Sequence, residues 1–275
     1  MKIIDFFEDN KISLDKKFLV AASAGPDSMA LLDMLRKMNV EVIAAHFDHQ
    51  LRSDSKDETK ILQKYCGRYD IPLFTAIWPK ENQPSRGIEA AARDARYDFL
   101  TKVAKAEKAD YLLTAHHGDD LLENILLKFI RSGNPEEMNS LQAVGKMHGV
   151  SLLRPLLAYS KQELLDYDQK NAIEFIVDST NSEDETMRNR LRHHVVPLLK
   201  KENPNLISNA LNYSRKMTDL DKFVEQKVDD VGQLEPFLGR AYRIKSEKIA
   251  KLSENEQIIF WQRNIWDKFH RRVNQ

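Results

Sequence analysis

The 275-residue chain balances 42 Lys and Arg against 42 Asp and Glu, and hydrophobic residues make up 42% of it. Zero formal net charge argues against nucleic acid wrapped over the whole surface, while leaving a local basic face open. The length suits one large domain, or one plus a small one, and no apolar run approaches the roughly 18 residues of a membrane span. Cys66 is the single cysteine, which rules out internal disulfides and Cys-cluster zinc or iron–sulfur sites within one chain. With a short acidic start that lacks a signal-peptide layout, a reducing cytoplasm is the expected compartment, and no membrane partner is expected.

Residues 1–16 form an amphipathic lead-in. Lys17 to Ala22 is a short apolar run, Ser23-Ala24-Gly25-Pro26-Asp27-Ser28 a tight loop, and Met29 to Leu35 has helical spacing. Such a strand–loop–helix unit can aim backbone N–H groups and a helix N-terminus at a phosphate. Ser23 and Ser28 add hydroxyls, and Asp27 can hold a magnesium ion or position a reacting group. The same six residues also fit an ordinary turn capped by Ser28 or Asp27. Val40 to Phe47 reads as a second buried strand, running into Asp48-His49-Gln50-Leu51-Arg52. Asp54 to Tyr69 fits a helix and Pro72 to Trp78 a third strand. Ile88 to Lys108 fits a long helix carrying Glu89, Arg93, Arg96 and Tyr97. Arg93 and Arg96 are i, i+3 neighbours and can face the same way; the same residues also fit a solvated charged face with Glu89–Arg93 as an i, i+4 pair. Tyr111 to Thr114 is a fourth strand, with Ala115-His116-His117-Gly118-Asp119-Asp120 at its carboxyl end.

This alternation predicts an α/β fold, doubly wound around a mostly parallel sheet, with every polar strand end on one edge. Leu121 to Ser132 is the next helix, with Leu122, Ile125, Leu126 and Phe129 as its buried stripe. Asp120 and Glu123 point together from another face. Residues 134–151 read as loop-like, with weak helix signals. Ser160 to Glu163 is a capping box, Ile173 to Val177 a strand, and Asp178 to Asp184 a polar loop. From Arg188 to Lys201 there are five basic residues, two histidines and no acid. That segment suits a phosphate-rich partner, or a solvated helix face. Residues 201–205 mark a boundary between an α/β domain, 1–203, and a small all-α domain, 204–275. Leu206 to Val231 reads as one helix there. A second capping box at Ser253 opens another, which buries Ile258, Gln262, Ile265, Trp266 and Phe269.

The loop 23–28 resembles the SGGxDS loop of the PP-loop ATP pyrophosphatases. His46 to Arg52, Glu89 to Tyr97, Thr114 to Glu123, Arg154-Pro155-Leu156-Leu157 and Arg188 to His193 resemble, in order and spacing, the sequence blocks of the bacterial tRNA(Ile)-lysidine synthetases. The resemblance implies a ligase that adenylates O2 of the wobble cytidine in the isoleucine tRNA with a CAU anticodon. The L-lysine ε-amine then attacks C2 and AMP leaves. ATP is a substrate and Mg2+ its companion. Ser23, Ala24, Gly25, Pro26, Asp27, Ser28, His46 and His116 are the implied nucleotide-binding residues. Asp27, Arg93, Arg96, Asp120 and Glu123 are the catalytic ones. Asp120 and Glu123 also receive lysine, Arg188, Arg190 and Arg192 receive tRNA, and Asp27 with Asp119 or Asp120 receives the metal. A homodimer stays open.

Two departures stand out. Ala24 replaces the usual first glycine, and a non-left-handed backbone is expected there. The chain is also short for the family, either as a short member or as part of a longer chain. Two alternatives remain: a tRNA thiolase on the same fold, disfavoured by the lone Cys66, and a non-catalytic adenine-nucleotide-binding module.

Overall fold

The computed structural model describes residues 2–50, 55–177, 184, 186–239 and 241–269. Leu51, Arg52, Asp54, most of the 178–184 loop, and the Trp266 and Phe269 side chains fall outside the described residues. The chain divides into two compact units, Met1–Ser214 and Arg215–Gln275.

The first unit opens with α1 (Lys2–Asp9), β1 (Lys17–Ala21), α2 (Pro26–Lys37), β2 (Glu41–Asp48), α3 (Ser55–Arg68) and β3 (Leu73–Ile77). Then come α4 (Ile88–Ala106), β4 (Tyr111–Leu113), α5 (Gly118–Arg131), α6 (Pro135–Met138), β5 (Val144–Met147) and β6 (Val150–Leu153). The strands form one sheet in the order β3-β2-β1-β4-β6-β5. All neighbours are parallel except β5 and β6. Period-two alternation sorts each strand between two cores. Phe18, Val20, Ala44 and Leu113 pack with α1, α2 and α3 on one face. Leu19, Ile43, Ala45 and Leu112 meet Tyr97, Leu100 and Ala104 of α4 on the other. The order reverses between β1 and β4, so the loops after these two strands flank the switch-point crevice where open α/β sheets bind ligands.

The remaining elements of this unit are α7 (Lys161–Lys170), α8 (Met187–Arg190), a π-helical turn at Leu191–Val195, α9 (Val196–Glu202) and the start of α10 (Leu206–Val231). The second unit holds the rest of α10, β7 (Glu235–Phe237), β8 (Ala241–Arg243), α11 (Ser246–Ile249) and α12 (Glu254–Phe269).

Several expectations need correction. Residues 144–153 are a β-hairpin rather than loop, closed by His148 (φ 47°) and Gly149 (φ 81°). Two successive positive φ angles define the turn that matches strand twist. Residues 173–177 pair with no strand among the described residues; the Ile176 N–H instead donates to the Ala24 carbonyl at 2.9 Å. Phe129 is exposed, and α5 buries Leu121 and Leu122. The second unit is not purely α, because β7 and β8 form a small antiparallel ribbon. Among the described side chains of α12, Phe260 and Asn264 are buried, while Ile258 is exposed.

Asp168 on α7 is fully buried, and neither carboxylate oxygen has a hydrogen-bond partner among the described residues. Burial, reinforced by the negative charges of Asp27 and Asp33 and opposed by Lys161, pushes its pKa up to about 8. A folded-state pKa above the unfolded value makes the neutral acid the stabilising form. That stability is complete below about pH 4 and drains away, at about 1.4 kcal/mol per pH unit, as pH rises toward 8. Asp168→Asn is expected to remove this slope. Urea unfolding at pH 5, 6.5 and 8 checks it: the variant's advantage must grow with pH, and a constant difference contradicts the assignment.

Candidate active site

The β1–α2 loop is drawn tight by its own hydroxyls. Ser28 Oγ accepts from the Ser23 N–H at 3.1 Å and donates to the Gly25 carbonyl at 3.0 Å. Gly25 is the extended residue preceding α2, and Pro26 occupies its first turn, where a missing N–H costs nothing. The Ser28 and Met29 N–H groups both donate to the Gly25 carbonyl at 3.1 Å, and Gly25 and Asp27, at the positive end of the helix dipole, line the crevice. Ala24 is left-handed (φ 56°), contrary to expectation. The chain must reverse between β1 and α2 at this position. Alanine is the smallest residue with a Cβ, and it tolerates the conformation at roughly 1–2 kcal/mol while its carbonyl is held by Ile176. Its side chain is fully buried.

A cleft of about 320 Å³ opens above this loop. Ala21, Ala45, Phe47 and Leu100 give it an apolar wall suited to a flat ring, and Gly25, Asp27, Lys161 and Arg96 line its polar part. His46 is not on the cleft surface. It is 1% exposed, and its Nδ1 lies 3.0 Å from the Ala22 carbonyl, so it braces the end of β1 from behind. Burial lowers its pKa.

At the end of β4, His117 caps α5, exchanging backbone and side-chain bonds with Asp120. Gly118 follows because a Cβ there would lie 3.0 Å from the Leu157 and Tyr159 carbonyls. The neighbouring His116 accepts or donates one bond to Thr114 Oγ1 at 2.9 Å. Burial drives its pKa down to about 3, so it is neutral at physiological pH.

Four carboxylates gather at this edge, and each meets a cation. Asp27 holds Lys161 Nζ on both oxygens at 2.8 and 2.7 Å. Asp119 accepts the Lys161 N–H at 2.8 Å and the Lys200 ammonium on its other oxygen. Glu123, 1% exposed, receives Arg188 Nε at 2.9 Å, and Arg192 through Nε at 2.7 Å and an Nη at 2.9 Å. Asp120 receives Arg188 at 3.0 Å. Burial would raise the Asp120 pKa, but His117 and Arg188 outweigh it and hold the group below its usual value. Arg188 and Arg192 are thus engaged with carboxylates inside the site. Arg190 turns away, and one Nη donates to the Asp184 carbonyl at 2.9 Å.

A second group of cations has no such match among the described residues. Arg93 and Arg96 lie over the Tyr97 ring at 4.9 and 5.3 Å. The Nε atoms of Arg96 and Arg154 are buried without a hydrogen-bond partner, and burial lowers both pKa values. Guanidinium groups held this way suit an incoming anion. Among the described residues no three His, Cys, Asp or Glu side chains converge as a metal cage. Asp27 offers hard oxygen at the cleft, which fits a magnesium ion that takes its other ligands from phosphate and water. Asp119, the other expected ligand, has its oxygens engaged by α7 and α9, as those of Asp27 are by Lys161. Cys66, on α3, sits in the core shared with α2, with burial raising its thiol to about 11, far from a reactive thiolate.

No sequence pattern singles out Lys161 or Asp168, and Lys200 stands out only as one of the five basic residues of 188–201. Ser160-Lys161 signalled only a helix start, and nothing local marks a lysine whose partner lies 134 positions away.

A switch-point cleft over a small-residue loop and helix N-terminus is, in an α/β protein, an arrangement that suits a phosphate. The PP-loop domain pattern matches residues 1–199, and the chain belongs to the PP-loop domain family. It is 49% identical over 278 residues to the tRNA(Ile)-lysidine synthase of Lactobacillus johnsonii, covering 99% of this chain and 64% of that protein. It is 47% identical to that of Lactobacillus gasseri, with 98% and 64% covered, and 37% identical to that of Enterococcus faecalis, with 88% and 53% covered. The chain therefore spans less than two thirds of these relatives' length. A U34-tRNA thiolase, NcsA from Methanococcus maripaludis, shares the fold at a TM-score of 0.68 and 16% identity, over 79% of this chain and 77% of that one.

Proposed function

We propose that this chain carries the catalytic centre of a tRNA(Ile)-lysidine synthase. The observation that carries the reading is the adjacency of three parts along one sheet edge. They are a phosphate loop with a flat apolar cleft, a set of anion-ready arginines, and the pair of Asp120 and the buried Glu123. The high identity to named synthases supports it.

In this reading adenine lies against Phe47 and Leu100, and the loop 23–28 receives the β and γ phosphates of ATP. O2 of the wobble cytidine of the CAU-bearing isoleucine tRNA attacks the α-phosphorus, and pyrophosphate leaves. Loop N–H groups and the Ser23 and Ser28 hydroxyls stabilise the leaving charge. Arg93 and Arg96 hold the α-phosphate as its charge redistributes. Magnesium on Asp27 supplies further neutralisation of the triphosphate.

Lysine must then deliver a neutral ε-amine, yet with a pKa near 10.4 only about one molecule in a thousand is neutral at pH 7.4. Carboxylates that grip the ε-ammonium would raise that pKa further. Asp120 and Glu123 therefore serve either by holding the α-ammonium end or by taking the proton as the C–N bond forms. Arg188 and Arg192, with side chains 40% and 32% exposed, have room to swing aside as lysine enters, so the site exchanges one cation for another. Arg190 and the exposed part of α8 and α9 then lie ready for tRNA phosphates.

The test incubates the protein with ATP, radiolabelled lysine and the CAU-anticodon transcript. Label in the tRNA is the expected result. Intact ATP binding without label would favour a nucleotide-binding module.

A further inference from the structure

The geometry points to Lys161 as a cation that stands in for the metal on Asp27 in the nucleotide-free protein and transfers to the pyrophosphate portion of ATP when nucleotide binds. This rests on the loop being the phosphate end of an ATP site. Lys161 Nζ spans both Asp27 oxygens at 2.8 and 2.7 Å, the arrangement in which an ammonium neutralises a carboxylate that would otherwise face its neighbours uncompensated. Asp168 lies buried close enough to interact with Asp27, and His117 Nε2 is 3.8 Å from it. The lysine is positioned rather than incidental. Its backbone N–H is fixed to Asp119, and the Ser160 capping box sets the start of α7, so the stem always emerges at the cleft. The side chain itself is 40% exposed and lines the cleft beside Gly25 and Asp27.

An ammonium and a divalent cation cannot both occupy the same pair of carboxylate oxygens. A metal arriving with the triphosphate must release Lys161, and the nearest strong anion for the released ammonium is the phosphate chain over the loop. The exchange uses one positive charge twice: it serves Asp27 in the free protein and a leaving pyrophosphate in the loaded one. Three bonds then form from a compact, strongly hydrated head on a flexible stem, which suits lysine more than a planar guanidinium.

Lys161→Met tests this without tRNA or lysine, so the result is independent of whether the protein makes lysidine. The backbone bond to Asp119 survives the change, and circular dichroism with Lys161→Gln as a second variant controls for folding. Mn2+ binding to the nucleotide-free protein, read by electron paramagnetic resonance, is expected to tighten by about tenfold because the competing ammonium is gone. Inorganic pyrophosphate binding, read by calorimetry, is expected to weaken by at least about tenfold, with Lys161→Arg restoring part of it. Pyrophosphate affinity unchanged in both neutral variants, or Mn2+ affinity unchanged or weaker, would overturn the assignment.

Discussion

Replacing Asp27 with alanine is expected to cut tRNA-dependent pyrophosphate release by roughly 100- to 1000-fold, the scale seen when one preorganised electrostatic group is removed from a transition state. Asp27 sits in the first turn of α2 and lines the cleft, with its side chain 25% exposed. The fold should tolerate the change. Losing one acid at a helix N-terminus costs about 0.3–1 kcal/mol, and the partner it strands, Lys161, is 40% exposed and can find water. The thermal midpoint should therefore shift little while the rate collapses. Asp27→Asn keeps the shape and removes the charge, so it should lie close to the alanine variant if charge is what matters. A parent-like rate in Asp27→Ala would remove Asp27 from the chemistry.

Glu123→Ala is expected to act on stability as strongly as on chemistry. The carboxylate is 1% exposed and receives three guanidinium bonds from Arg188 and Arg192. Breaking a buried ion pair from one side typically costs about 3–5 kcal/mol, because the surviving charge loses its partner and not its burial. The half-exposed arginines can relax toward water, which places the expected loss at about 3 kcal/mol, the lower end of that range. Glu123→Gln keeps the volume and an acceptor oxygen and should lose less. Denaturant unfolding measures the first effect. The second is a separation of steps: lysine incorporation should fall further than adenylation in both variants. Equal losses in the two steps would place Glu123 in the scaffold alone.

Much of this arrangement is legible in the chain and the remainder is not, for identifiable reasons. The apolar runs of β1, β2 and β4 announce themselves because they are buried on both faces and lack alternating polar residues. The helix at Leu206–Val231 and the capping box at Ser160 are local signals, and local signals survive folding. The hairpin at 144–153 was obscured by an exposed Val144 and a glycine in its first strand, although His148-Gly149 is a recognisable turn pair. Residues 173–177 have strand composition, yet their backbone is spent steadying Ala24. Ala24 itself shows the limit of a residue-by-residue rule: the loop path demands a left-handed angle, and the smallest available side chain accepts it. The charges of the site are plain in the sequence, but their pairing is not. The ammonium of Lys161 and the guanidinium groups of Arg188 and Arg192 are brought to Asp27, Asp120 and Glu123 by the sheet order, which no local pattern encodes.

The central claim is that one cleft first attaches AMP to tRNA and then exchanges it for lysine. It is tested most directly with ATP labelled at the α-phosphate and the CAU-anticodon transcript, first without lysine. The account predicts label on the tRNA that leaves as free AMP when lysine is added, with lysine retained in its place. ATP bound in the cleft with no label ever reaching the tRNA would contradict it.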